Sequence, residues 1–471
     1  VEEERLAVIR DSGLTPYQIL ARELYMELWD RDFSMTKTRV IMKEWFPRVD
    51  VLRKNETGFS GFQMINNGLI IPRVFHMESN TRQVIWNAAH DSKAVSGLTH
   101  RFYRYPARFS PSFAKAAIEC FSDPEDLVLD PFSGGGTTAV EALALGRRVV
   151  ANDINQLSIF LARVKTTPLY PSDIRAVREW ANSVAQLKYT DRLMNDIEGD
   201  VRLKNLNVPK AQKLKKVVAL ALEQASALPT KASSEFARCV VLNGAQAALD
   251  GNRSFTSVRS FVTGLGKRCE AMIAGIEDYM NAGGSLHRKR EVNRRRKILN
   301  HDARKIHTDP FFRSQENRPK LVATSPPYPG VHVLYHRWQV DGRKETPAPY
   351  WISQCHDGDG SSHYTFGCRK QPGLHKYFET AYETFSSIHS ILAPEATVVQ
   401  LIAFSEPESQ LPRYLEQMEA AGFAEKTLLD DDGSQNNERI WRSVPNRKWH
   451  ANLQGKTSSS KEVVLIHQRV G

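Results

Sequence analysis

The sequence predicts an α/β chain built on a mostly parallel sheet, with a helical N-terminal region and a helical insertion. Three observations carry this. Short apolar runs that read as strands alternate with helical segments in the middle and late parts of the chain, the pattern that yields a parallel sheet. Residues 127–139 pass from a strand through a glycine-rich turn into a helix. Between residues 171 and 296 the alternation stops, and the pattern becomes helical and polar, with Lys-rich and Ala/Leu-rich runs such as 210–222.

At 471 residues the chain allows two or three units of the usual ~100–200 residues, and a sizeable core. Composition is ordinary for a water-exposed fold, at 41% hydrophobic and 25% charged residues. No apolar run approaches the roughly 18–20 residues of a membrane span, so no membrane is expected as a partner. The first residues, VEEERLAVIR, are charged, lack the apolar core of a secretion signal, and open on Val1 as a trimmed chain would. A net charge of +11 favours a polyanionic partner, although a solvated basic surface gives the same number. The cysteines, Cys120, Cys239, Cys269, Cys355 and Cys368, are odd in number, widely spread and never in a CxxC pair. That usage fits a reducing compartment, and the expected location is cytoplasmic. His356, His363 and His375 lie near Cys355 and Cys368, but the spacing matches no common zinc pattern and no metal site is expected.

In chain order, residues 1–99 read as a helical accessory region. Apolar residues recur at helical spacing over 17–29, and Asn67-Gly68 within INNGLIIP could turn a hairpin. Residues 100–170 start the α/β part. The basic, aromatic HRFYRYPARFSPSF, residues 100–113, runs into a proline-started helix over 111–120. Then comes LVLDPFSGGGTTA, residues 127–139: strand, glycine loop, and a helix over 137–145 closed by Gly146. Gly134, Gly136 and Ala139 fit G-x-G-x-x-G/A, where missing Cβ atoms let a ligand reach backbone N–H groups at a helix N-terminus. The spacing alone is weak. It gains from a second strand, RVVAND, whose terminal Asp153 lies about 20 residues on, where an acceptor for ribose hydroxyls is expected. No Gly-Lys-Ser/Thr follows, which argues against a P-loop.

Residues 171–296 form the expected helical insertion, a candidate DNA-contacting region. It ends in a basic run over 287–297 that would suit phosphates or simply face water. Residues 297–471 resume the α/β pattern. Strands are expected over 297–300, 320–324, 397–403, 425–429 and 462–467, and helices over 377–391 and 411–421. After the strand at 320–324 comes TSPPYPG, with Pro326 and Pro327 fixing the backbone beside Tyr328. A Pro-rich turn closing a strand is the plainer reading, and a grip on a planar, amine-bearing ring the sharper one. Residues 330–367 interleave His332, Tyr335, His336, Trp338, Tyr350, Trp351, Tyr364 and Phe366 with Arg337, Arg343 and Lys344, a mixture suited to stacking bases and holding phosphates. Residues 441–450 read as another aromatic, basic loop.

Together the glycine loop, Asp153 and the Ser325-Pro326-Pro327-Tyr328 motif resemble the S-adenosylmethionine-dependent DNA amino-methyltransferases, over roughly residues 100–167 and 298–330. The resemblance implies a Rossmann-like methyltransferase fold and S-adenosylmethionine as cofactor. Carried over by position, Tyr105, Pro106, Ala107, Arg108 and Phe109 would lie near the methionine end. Asp130, Pro131, Phe132, Ser133, Gly134 and Gly136 would form the loop beneath it, and Asp153 would hold the ribose. Asp302 would lie near the adenine amine, with Asp309 as the alternative.

Serine at the head of the motif resembles the N4-cytosine type. Ser325 Oγ and the Pro326 carbonyl would orient the exocyclic amine, and Tyr328 would stack a flipped-out base. Double-stranded DNA is the implied substrate, and a restriction or defence-system partner would fit such an enzyme. No cysteine follows a proline, which disfavours carbon-5 cytosine chemistry. The alternatives are an N6-adenine DNA enzyme, an RNA base methyltransferase, a nicotinamide-dependent oxidoreductase and a catalytically silent DNA-binding module. Oligomeric state and target sequence are not legible.

Overall fold

The computed structural model describes residues 49–51, 54–55, 58–59, 62–64, 79–105, 109–186, 200–251, 256–283, 286, 288–329, 337–341, 344–358, 364–367, 371–426, 439–443 and 461–470. The chain divides into two compact units. One comprises Val1–Arg82, Ala424–Glu438 and Ile466–Gln468; the other comprises Gln83–Phe423, Arg439–Leu465 and Arg469–Gly471.

In the first unit, β1 (Val49–Val51), β2 (Lys54–Asn55), β3 (Gly58–Phe59) and β4 (Phe62–Met64) form two antiparallel pairs, β1 with β4 and β2 with β3. The region expected to be helical is therefore strand over these residues; helix α1 (Ser79–His90) follows, with Gln83 onward belonging to the second unit. The expected helix at 17–29 and hairpin at 65–72 lie outside the described residues.

The second unit is organised on a parallel sheet. After α2 (Pro111–Phe121) come β5 (Leu127–Asp130), α3 (Thr137–Ala144), β6 (Arg148–Asn152) and α4 (Gln156–Lys165). Among the described residues five α-helices intervene before the next strand: α5 (Pro171–Ala185), α6 (Pro209–Ser226), α7 (Lys231–Leu249), α8 (Val258–Ala282) and α9 (Lys289–Arg295). The alternation resumes with β7 (Arg296–Leu299) and β8 (Leu321–Thr324), then a small hairpin of β9 (Trp338–Val340) and β10 (Lys344–Thr346) and the short α10 (Ala348–Ser353). The chain continues through α11 (Gln371–Ile391), β11 (Thr397–Ile402), α12 (Pro407–Ala420), β12 (Phe423–Glu425), β13 (Trp441–Ser443) and β14 (Lys461–Arg469).

Across the sheet the strands run β12-β14-β11-β8-β5-β6-β7, with β13 beside β14. The pairs β11/β8, β8/β5, β5/β6 and β6/β7 are all parallel. Chain order reverses between β5 and β8, so the crevice at their carboxyl ends is the switch point where open α/β sheets bind ligands. The strands there are apolar without alternation because helices cover both faces: β5, β8 and β11 are buried along their whole length. This is the mostly parallel, Rossmann-like α/β architecture expected from the sequence.

Local chemistry sets the helix starts. Pro111 opens α2, where a missing N–H costs nothing. Asn155 caps α4 by accepting the Leu157 N–H. Some boundaries differ from expectation. Gly422, at φ +90°, turns the chain straight out of α12. The next strand accordingly runs Phe423–Glu425 instead of starting at 425. Residues 441–443, expected as loop, pair antiparallel with β14, which sets Arg442 opposite Glu462.

Candidate active site

At the end of β5 the chain turns through Pro131, Phe132 and Ser133 into the glycine loop and α3. Gly134 (φ +45°) and Gly136 (φ +74°) take left-handed backbone that side chains resist. The space is also closed to them. A Cβ on Gly136 would stand 3.0 Å from Ala162 Cα, and one on Gly134 would stand 3.2 Å from the Tyr105 ring. Three groups clamp the loop. Asp153 Oδ2 accepts the Gly134 N–H at 2.7 Å while Oδ1 accepts the Asn155 N–H at 2.8 Å. The Ser133 N–H donates to the Asn152 carbonyl at 2.9 Å. The buried Lys165 donates from Nζ to the Gly135 carbonyl at 2.6 Å. Tyr105 reaches the loop from the preceding segment, with its hydroxyl 3.3 Å from Ser158 Oγ.

The Ser-Pro-Pro-Tyr turn is joined to this loop through Thr324. Its hydroxyl donates to Asp130 Oδ1 at 2.7 Å, and Thr138 of α3 donates to the Ala323 carbonyl at 3.1 Å. Burial pushes the Asp130 carboxyl up to about 6, against the hydrogen bonds from Thr324, Thr138 and the Phe132 N–H that favour its charged form. Burial moves the Asp153 carboxyl in the same direction, opposed by its backbone N–H partners.

Ser325 is partly exposed and Pro326 buried. Ser325 Oγ lies 3.0 Å from the Tyr328 hydroxyl, which donates to Glu462 Oε1 at 2.6 Å. Glu462 Oε2 in turn receives Arg442 Nε at 2.7 Å and a terminal guanidinium nitrogen at 2.6 Å. Tyr377 donates its hydroxyl to the Pro327 carbonyl at 2.8 Å. The Tyr328 ring is only 9% exposed and belongs to the sheet's core cluster, so it is packed side chain more than open platform. Partly exposed rings stand nearby: Phe132 meets Phe366 edge-on with centroids 5.5 Å apart, and Phe366 lies 5.5 Å from Tyr377.

Other expected residues are placed differently. Pro106, Ala107 and Arg108 lie outside the described residues. Phe109 is buried edge-on against Phe113 of α2, at 5.6 Å. Asp302 follows β7 and caps a short 3-10 turn by accepting the Arg304 N–H, while the Arg304 guanidinium sits 2.6 Å from Oδ2. Burial alone would raise the Asp302 carboxyl, but Arg304 outweighs it and holds the group below its ordinary range. Asp309 lies further along, accepting the Phe311 N–H and facing His301 Nε2 at 3.1 Å. The ends of β6 and β7 are stitched together by Asn152, which bonds both the N–H and the carbonyl of His301, and by Asn300, which donates to the Asp153 and Ile154 carbonyls.

Two aromatic residues read from the sequence as base-stacking candidates are core instead. Trp338 is 2% exposed and donates from its indole to the Tyr103 hydroxyl at 3.0 Å; Tyr350 is fully buried and donates to Asn155 Oδ1 at 3.2 Å. Sequence reasoning also missed what the insertion does next to the loop. Asn243 of α7 donates to the Arg101 and Phe102 carbonyls, and Gln246 bonds both the N–H and the carbonyl of Arg104. The insertion thus braces the segment that delivers Tyr105. Glu462, Arg442, Lys165 and Tyr377 were missed because they arrive from distant parts of the chain with no local motif.

A family model described as DNA methylase covers residues 30–162, and one described as D12 class N6 adenine-specific DNA methyltransferase covers 115–225. Residues 30–162 match the DNA methylase family. The matched segment holds the glycine loop and Asp153 and ends ahead of Ser325. Among similar proteins, Type II methyltransferase M.MvaI of Kocuria varians is 40% identical over 114 residues, 23% of this chain and 24% of that protein. DNA adenine methyltransferase YhdJ of Escherichia coli strain K12 is 35% identical over 65 residues, 14% of this chain and 22% of that protein. The chain therefore spans about a quarter or less of the curated relatives it matches. TrmN from Thermus thermophilus aligns with TM-score 0.30 and 14% identity over 79% of this chain and 53% of that one. The rRNA methyltransferase aviRa from Streptomyces viridochromogenes aligns at 0.31 and 11% over 79% and 90%. These scores are low, and the fold assignment rests on the strand order.

The methyl donor that the methylase match implies is S-adenosylmethionine, and the loop's chemistry fits it. Gly134 and Gly136 leave a cradle that a Cβ would fill. Ser133 Oγ and Thr137 Oγ1, at the N-terminus of α3, are buried and find no hydrogen-bond partner among the described residues. Asp153 stands at the end of β6 beside this cradle, held by the Gly134 and Asn155 N–H groups.

Proposed function

We propose that the chain is a site-specific DNA methyltransferase that methylates the N4 amine of cytosine in a flipped-out nucleotide of double-stranded DNA. The observation that carries the reading is the tie between Ser325-Pro326-Pro327-Tyr328 and the glycine loop: Thr324, immediately before the motif, bonds Asp130 of the loop strand at 2.7 Å. The two halves of a methyl-transfer site meet at the sheet's switch point, one suited to a nucleoside-bearing cofactor and one to an amine.

In this reading S-adenosylmethionine supplies an electrophilic methyl group. The backbone of Gly134 and Gly136, with Tyr105 packed over Gly134, would line the cofactor's place; Asp153 would accept the ribose hydroxyls, and Asp302 would serve the adenine end. Asp130, Pro131, Phe132 and Ser133 form the floor, with Ser133 Oγ and Thr137 Oγ1 as donors waiting for an acceptor. Ser325 Oγ and the Pro326 carbonyl accept the N–H groups of the target amine, which aims its lone pair at the donated methyl. Phe366, with Phe132 beside it, supplies ring surface for the flipped base, next to the packed Tyr328.

Supports for the DNA substrate are the DNA methylase match, the DNA named for the E. coli relative and the surplus of basic residues. A restriction or defence-system partner remains part of the proposal, as does a DNA-contacting role for residues 171–296. A second reading, methylation of adenine N6, draws on the D12 class match and on the E. coli relative. Nucleoside analysis of DNA treated with protein and labelled cofactor separates them: N4-methylcytosine supports the first reading, N6-methyladenine the second, and unlabelled DNA neither.

A further inference from the structure

Behind Ser325 stands a line of groups whose buried far end, Glu462 and Arg442, is used by neither the family resemblance nor the proposed chemistry. It runs from Ser325 Oγ to the Tyr328 hydroxyl at 3.0 Å, from there to Glu462 Oε1 at 2.6 Å, and from Glu462 Oε2 to Arg442 at 2.6 Å. Glu462 is 4% exposed and Arg442 8%. We infer that Glu462, held by Arg442, is a positioning residue that fixes the polarity of Ser325, so that the serine presents lone pairs to the target amine. The inference rests on the reading of Ser325 as the amine's acceptor.

A guanidinium has donors only, and a carboxylate has acceptors only. Arg442 therefore leaves Glu462 an acceptor at both oxygens, and the Tyr328 hydrogen must point at Glu462 Oε1. A phenolic oxygen accepts as well as donates, so the Ser325 hydroxyl hydrogen turns toward the Tyr328 oxygen. Both lone pairs of Ser325 Oγ face away from Tyr328, as an N–H donor requires. Were the Tyr328 hydrogen to point at Ser325, the serine hydrogen would project toward the amine and oppose it. A serine, unlike an aspartate, can donate as well as accept, so a serine-headed motif needs this control. Register supplies it, since the pairing of β13 with β14 sets Arg442 opposite Glu462.

Glu462→Gln in the full chain tests this while keeping the side-chain shape. Arg442 can only donate, so the amide turns its oxygen to Arg442 and its NH2 to Tyr328, which reverses the line. The measurements are steady-state methylation of duplex DNA, calorimetric S-adenosylmethionine affinity and a melting curve, for wild type, Glu462→Gln, Tyr328→Phe and the double variant. The expected result is a kcat at least about tenfold lower for Glu462→Gln, with cofactor affinity and KM for DNA held within about twofold. Tyr328→Phe removes the hydroxyl that links Glu462 to Ser325, so Glu462→Gln is expected to cost nothing further in that background. Wild-type kcat in Glu462→Gln, or an equal added loss in the double variant, overturns the inference. If Glu462→Gln does not fold, Tyr328→Phe decides, because it leaves the Glu462 pair with Arg442 intact: reduced kcat supports the inference and unchanged kcat overturns it. Absence of transfer by the wild-type chain overturns the parent reading and this inference together, whereas active wild type with unaffected variants overturns this inference alone.

Discussion

Replacing Asp130 by Asn removes a charge that the fold holds at a cost. Asp130 is 3% exposed, and burial pushes its carboxyl up to about 6. Relative to an ordinary aspartate near 3.9 that is a rise of about 2, which at about 1.4 kcal/mol for each amounts to about 3 kcal/mol. The sign follows from proton binding. The folded state binds this proton more tightly than the unfolded chain, so the cost is absent below pH about 4, grows between about 4 and 6, and is complete above. Asn keeps an oxygen for the Thr324 hydroxyl and the Phe132 N–H. Urea unfolding across this pH range should therefore show Asp130→Asn more stable than wild type at pH 8, by up to about 3 kcal/mol, with the gap closing toward pH 4. Cofactor affinity should fall at the same time, because a site that stores an uncomfortable charge trades stability for function. A gap independent of pH, or a variant less stable at pH 8, would refute the reasoning.

Three further outcomes are expected. Gly136→Ala forces an L side chain into left-handed backbone and 3.0 Å from Ala162 Cα, and should lower stability by at least ~1–2 kcal/mol and weaken cofactor binding; a melting curve and a binding isotherm read both. Tyr328→Ala opens a cavity in the core and should destabilise by about 3–5 kcal/mol, so its lost activity reports folding, whereas denaturant unfolding of Tyr328→Phe should stay within about 1–2 kcal/mol of wild type. Gln246→Ala frees the Arg104 backbone and should weaken S-adenosylmethionine binding, though Gln246 lies on the insertion; unchanged affinity in calorimetry would separate the insertion from the site.

The sheet was legible in the sequence because buried parallel strands announce themselves as short unbroken apolar runs, as in Leu127 to Leu129 and Leu321 to Ala323. The glycine loop was legible for a related reason: left-handed backbone and close approach leave few residue choices at 134 and 136. Polar residues with long reach were not. Glu462 reads as an ordinary strand residue until β14 sets it opposite Arg442, and Lys165 reads as a helix-end cation until α4 packs it under Gly135. Aromatic residues misled in the opposite way. Trp338 and Tyr350 sit in a polar, basic stretch that suggested exposed stacking surfaces, yet their polar atoms find partners in Tyr103 and Asn155 and the rings are buried. Composition shows that rings and cations are near each other in sequence, but not which of them faces inward.

The most direct test of the central claim is to treat duplex DNA of varied sequence with the protein and methyl-labelled S-adenosylmethionine, digest the DNA to nucleosides and identify the labelled base. Label is expected in N4-methylcytosine, and it is expected to be lost in Ser325→Ala while cofactor binding is retained. Label in 5-methylcytosine, or no labelled nucleoside at all, would contradict amine methylation at Ser325, and label in N6-methyladenine would keep the chemistry and overturn the choice of base.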